Sequence, residues 1–159
     1  MLFKGLKAIA IVKHIISEAE IYMGEVCING YSKTNYYAYA ECSLLALAKL
    51  FSNVYSKNEK LGNAIVKESL SGSWRGFVSQ RDKEEYLSKI NNFYDNYVAI
   101  LSMEFNDDSL NPAQKISNAF GEICKSMAND IKAEYTEDSL SLFMLELMNL
   151  KEYVYAYCK

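Results

Sequence analysis

Apolar side chains recur along this chain at a spacing close to 3.6 residues, and no stretch sustains the alternation that would suggest a strand. A single proline in 159 residues leaves room for long helices. The pattern predicts an all-α protein. On a helical wheel Ala8, Ile9, Ile11, Val12, Ile15 and Ile16 gather opposite Lys7, Lys13, His14, Ser17 and Glu18, which predicts a first helix over about residues 3–28. Asn29-Gly30 supplies the left-handed position that ends it.

A second helix is predicted over about 35–56, with Tyr36, Leu44, Leu47, Phe51 and Val54 on a broad apolar face and only Glu41 and Lys49 charged. A third, over about 59–70, carries Leu61 and Ile65 and breaks at Ser71-Gly72-Ser73. Asp82 followed by Glu85 reads as a capping box opening a fourth helix, with Tyr86, Ile90, Phe93, Tyr94, Tyr97, Leu101 and Phe105 inward. Asn111-Pro112-Ala113-Gln114 supplies an N-cap, a proline at the first helical position and a glutamine three residues after the cap. That starts a fifth helix with Ile116, Phe120, Ile123, Met127 and Ile131 toward the core. Thr136 caps a sixth, whose segment Leu140 to Leu150 holds one charge, Glu146. A helix that apolar all round belongs at the centre of a bundle. The expectation is one domain, 1–159, folded as a compact up-and-down bundle of five or six helices, with the second and last most buried.

Composition narrows the function more than it names it. Net charge is −3, the wrong sign for a protein organised around phosphate backbones, so no nucleic-acid partner is expected. The charge is polarised: residues 1–81 hold 10 basic and 6 acidic side chains, residues 82–159 hold 7 and 14. Lys13 and His14 interrupt the apolar run that a signal segment would need, and no stretch approaches the roughly 18 apolar residues of a membrane span. Cys27, Cys42, Cys124 and Cys158 form no C-x-x-C pair, which points to reduced thiols, a cytoplasmic location and no zinc site.

Candidate chemistry is sparse. His14 stands one turn before Glu18, spacing that suits an exposed ion pair better than an acid/base couple, since no nucleophile accompanies it. Gly72-Ser73-Trp74-Arg75-Gly76 has tryptophan where a nucleophile elbow has serine. Glu41, Glu104, Glu122 and Glu146 lie on four helices, but a di-metal bundle also needs Glu-x-x-His pairs that one histidine cannot supply. No cofactor is expected. Glu104, Asp107 and Asp108 do not match an EF-hand loop and fit a helix end better.

The most distinctive segment runs from Ser73 to Arg81. It gathers the single tryptophan and both arginines of the chain, against fifteen lysines elsewhere. Trp74, Arg75, Phe77 and Arg81 are residue types enriched at binding hot spots, so they form a candidate partner-binding loop. The competing reading has Trp74 and Phe77 folded back to plug the end of the bundle. Thirteen tyrosines add interface character, and Tyr155 and Tyr157, two residues apart on a helix, cannot both face one core. The sequence therefore leads to a non-catalytic protein that binds another protein, of the inhibitor, immunity or regulatory kind, with a second copy of itself as another partner. The alternatives are a bundle that holds an apolar small molecule between its helices, and an enzyme whose groups converge only in space.

Overall fold

A computed structural model of the chain describes residues 2–26, 33–71, 80–130 and 137–158. Among them are six α-helices and no strand: α1 (Leu2–Val26), α2 (Lys33–Leu50), α3 (Glu59–Ser69), α4 (Gln80–Phe105), α5 (Pro112–Asp130) and α6 (Glu137–Cys158). The all-α bundle expected from periodicity is what forms. The turn at Asn29-Gly30, the inward-facing Ile131 and the cap at Thr136 lie outside the described residues.

Local chemistry explains most of the helix ends. At the start of α5 the Gln114 amide donates to Asn111 Oδ1 at 2.9 Å, and the Asn111 amide donates to Gln114 Oε1 at 3.0 Å. This reciprocal pair satisfies two donors that a helix start leaves without intrahelical partners. Asn58 caps α3 by accepting from the Leu61 amide at 3.1 Å, just after Lys57 with its left-handed φ of 50°. α4 begins at Gln80, two residues before the predicted cap, so Asp82 sits within its first turn, and Glu85 pairs with Arg81.

α2 is the axis of the molecule and packs against α1, α3 and α4, with a lighter contact to α6. From Glu41 to Phe51 every side chain except Lys49 is buried. The helix then loosens into a π-turn, Phe51–Tyr55, closed by the Ser56 amide donating to the Phe51 carbonyl at 3.1 Å. The wider turn rotates the next residues off the α-helical wheel. Val54, expected inward, is 46% exposed, while Ser52 is fully buried and donates to the Ala48 carbonyl. Phe51 stays in the core against Phe120 of α5, ring centroids 5.7 Å apart.

α4 runs in the same direction as α2, as an up-and-down order with α3 between them requires. Tyr86 meets Glu41, and Tyr94 eight residues on meets Asn53. α5 returns antiparallel to α4, with Asn96 donating to Ser126 near the middle and Lys115 donating to the Phe105 carbonyl near the turn. One cluster of buried apolar residues takes members from all six helices. The expected face of α4 is right at Tyr86, Ile90, Tyr97 and Leu101, but Phe105 at its end is 40% exposed. On α1, Ile9 is likewise exposed where the wheel had placed it inward.

The last helix departs most from expectation. α6 is not central: it lies mainly against α1, α5 and the π-turn and buries only Leu147, Leu150 and Val154 among its described side chains. Covered on one side, it leaves the other to solvent.

Candidate functional site

Of the loop residues singled out from the sequence, Trp74, Arg75 and Phe77 lie outside the described residues. Arg81 is exposed, and its Nε donates to Glu85 Oε1 at 3.2 Å, one turn along the same helix. Exposed pairs of this kind contribute a few tenths of a kcal/mol, about 0.3–0.5. The second arginine is thus held along α4.

The candidate acid/base residue His14 is half-buried and stacks on Tyr153 of α6, with centroids 3.8 Å apart and rings 14° from parallel. It is therefore not the exposed surface residue that its place on the polar side of α1 suggested. Tyr153 in turn shares a hydroxyl hydrogen bond with Tyr157 at 3.3 Å. Burial first, and that bond second, push the Tyr153 phenol up to about 12. The trio fastens α1 to α6.

A polar seam crosses the core between α2 and α4. Glu41 is 4% exposed and accepts from Tyr86 Oη at 3.4 Å, Cys42 Sγ approaches the Tyr86 carbonyl at 3.9 Å, and Ser43 shares a short hydrogen bond with Tyr97 Oη. Further along, Asn53 Nδ2 donates to Tyr94 Oη at 3.0 Å while Lys49 Nζ stands 4.2 Å from the centre of the Tyr94 ring. A buried carboxylate with hydrogen-bonding partners is a structural arrangement rather than a site in itself, because fixing α2 against α4 requires those partners. Cys42 and Cys124 are buried free thiols, and burial pushes the Cys124 thiol far above its ordinary value, which makes it a poor nucleophile. No group of three or more metal-binding side chains occurs among the described residues. Asp107 is occupied locally, accepting from both the amide and the hydroxyl of Ser109, which holds its carboxyl below the usual range.

Among the described residues, exposed apolar side chains gather in two places, apart from Leu6, Ile9 and Met103. One is a shallow groove of about 200 Å³ between the π-turn and the end of α4, lined by Leu50, Val54, Val98, Leu101, Ser102 and Phe105. It has the size of a single large side chain and falls short of the roughly 300–1,000 Å³ of ordinary small-molecule sites. The other is the outer face of α6. Leu142, Leu145, Met148 and Tyr155 are 53%, 55%, 48% and 43% exposed. Leu142, Leu145 and Met148 succeed one another at three residues, and Tyr155 lies on the same side two turns beyond Met148, with the exposed Glu152 on the turn between.

Sequence reading missed this stripe because it treated α6 as apolar all round and therefore buried. The signal was available: Leu147, Leu150 and Val154 already form a complete inner face, so the apolar residues at 142, 145, 148 and 155 are a second, surplus face. Leu142, Leu145 and Met148, each about half open, adjoin on successive turns, an exposed apolar cluster of the kind that often marks an interaction site. No family model matches the chain, and neither a curated protein nor a solved structure is significantly similar to it.

Proposed function

We propose that this is a non-catalytic interaction protein that binds another protein chain through the outer face of α6. The observation that carries the reading is the exposed stripe Leu142, Leu145, Met148 and Tyr155, on a helix that already has a full inner face. Burying such side chains is worth about 1.5–3 kcal/mol for each large one fully covered, so keeping four in water is costly unless a partner covers them. Trp74, Arg75, Phe77 and Arg81 belong to the same proposal as a second contact region, on their chemistry alone. The setting proposed for this binding is the cytoplasm, on the unpaired pattern of the four cysteines.

The reading is tested by affinity capture from source cells with the wild-type chain and with Leu145→Ser/Met148→Ser, their melting temperatures compared. A protein retained by the wild type and lost by an equally stable double variant supports it. Equal retention by both contradicts it. The alternative, a binder of an apolar small molecule, would have to use the groove at Leu50, Val54 and Phe105, which is smaller than ordinary ligand sites, and there Val54→Ser would abolish binding while the α6 variant would not.

A further inference from the structure

The charges on the α6 face say what kind of chain it accepts. Among the described residues of α6 the exposed charges are Glu137, Asp138 and Glu152, all acidic. They lie on the same side of the helix as Leu142, Leu145, Met148 and Tyr155. The one described lysine of this helix, Lys151, is turned away, its ammonium 4.8 Å from the centre of the Tyr55 ring on the π-turn. Glu137 and Asp138 also favour the helix N-terminus. Glu152, four turns along, has no such reason to be there.

We infer that the occupant of this face is an amphipathic helix with a basic rim, supplied by another protein. This rests on the reading of α6 as a binding surface and adds the partner's chemistry to it. Apolar residues on successive turns of one side suit the apolar side of a second helix, whose own anchors recur at i, i+3, i+4 and i+7. A helix of 22 residues is about 33 Å long, enough for a partner of four or five turns to lie along it. Lysines or arginines beside the partner's apolar side would then meet Glu137 and Asp138 at one end of the face and Glu152 between Met148 and Tyr155. The same charges count against the other occupants. Two copies meeting through α6 would bring six carboxylates into one interface with no exposed lysine of the described helix to offset them, and like charges facing each other cost affinity. Helices that lie on lipid carry lysine and arginine beside their apolar face, the reverse of this arrangement.

Three synthetic 18-residue peptides separate these outcomes by fluorescence anisotropy: a Leu/Lys amphipathic helix, its Leu/Glu counterpart, and a scramble of the Leu/Lys peptide with no apolar side. The protein should bind the Leu/Lys helix at least tenfold more tightly than either control. Leu145→Ala/Met148→Ala should weaken that binding at least tenfold with an unchanged melt, and Glu137→Lys/Asp138→Lys/Glu152→Lys should transfer the preference to the Leu/Glu peptide. Equal binding of the two amphipathic peptides, both weakened by Leu145→Ala/Met148→Ala, would overturn the basic partner while leaving α6 a docking surface. Indifference to Leu145→Ala/Met148→Ala would overturn both. A wild-type dimer in sedimentation at micromolar concentration, dissolved by the same double variant, would replace the basic helix with a second copy.

Discussion

α2 and α6 are built from nearly the same material and end in opposite surroundings. Each is an apolar helix with few charges, yet from Glu41 to Leu50 of α2 every side chain but Lys49 is buried, whereas α6 leaves four large apolar residues in water. The difference lies in the neighbours. α2 is packed by α1, α3 and α4, the last across the polar seam, while α6 is met chiefly by α1, α5 and the π-turn. Apolar composition sets how much surface a helix could bury, and topology sets how much it does.

The sharpest break of the comparison is a matched pair of truncations. Leu47→Ala on α2 removes a fully buried side chain and should cost about 2–5 kcal/mol in chemical denaturation, depending on how far the site collapses. Leu145→Ala on α6 should stay within about 0.5 kcal/mol of wild type, as surface substitutions do. Comparable costs at the two positions would show that α6 is as central as α2.

A smaller effect tests the close approach of α3 to the π-turn. A Cβ placed on Gly62 would stand 2.3 Å from Asn53 Oδ1 and 3.3 Å from the Lys49 carbonyl. Gly→Ala within a helix ordinarily gains about 1 kcal/mol. Here Gly62→Ala should instead destabilise by about 1–2 kcal/mol, because it displaces the Asn53 amide from Tyr94 and crowds the backbone. A stabilised variant would mean that α3 and the π-turn are not in contact.

Trp74→Ala separates the two readings of the Ser73 to Arg81 segment. As a partner contact it should weaken binding by about 2 kcal/mol or more with little change in melting, the behaviour of a hot spot. A loss of about 3–5 kcal/mol of stability would make Trp74 a core plug instead.

The smallest effect concerns alkaline pH. The Tyr153 phenol, pushed up to about 12 by burial and then by its bond to Tyr157, holds its proton more tightly in the folded than in the unfolded chain. Its contribution is therefore fully present below the ordinary tyrosine value near 10 and lost as pH rises through 12. Melting temperatures measured between these limits should fall less steeply in Tyr153→Phe than in wild type. Parallel curves would remove Tyr153 as the cause.

Most of the fold is legible in the sequence, since helix boundaries arise from caps and periodicity that act locally. The Asn111 to Gln114 box and the break after Leu70 are examples. The π-turn is not legible, because Phe51 and Val54 fit an uninterrupted wheel and nothing local marks the wider turn. Gly62 reads as one more scattered glycine until Asn53 is seen beside it. The α6 surface is half legible: its apolar residues stand out, but which face a helix turns inward depends on how many neighbours it has. The stack of His14 on Tyr153 joins residues 139 positions apart, beyond the reach of any local pattern.

Amide chemical-shift mapping of the labelled protein with the Leu/Lys peptide tests whether the open face of α6 docks a basic helix. Shifts should concentrate between 137 and 156 on α6, while the buried stretch of α2 stays unmoved. Shifts gathered instead around Leu50, Val54 and Phe105, or a spectrum that does not change, would contradict that docking.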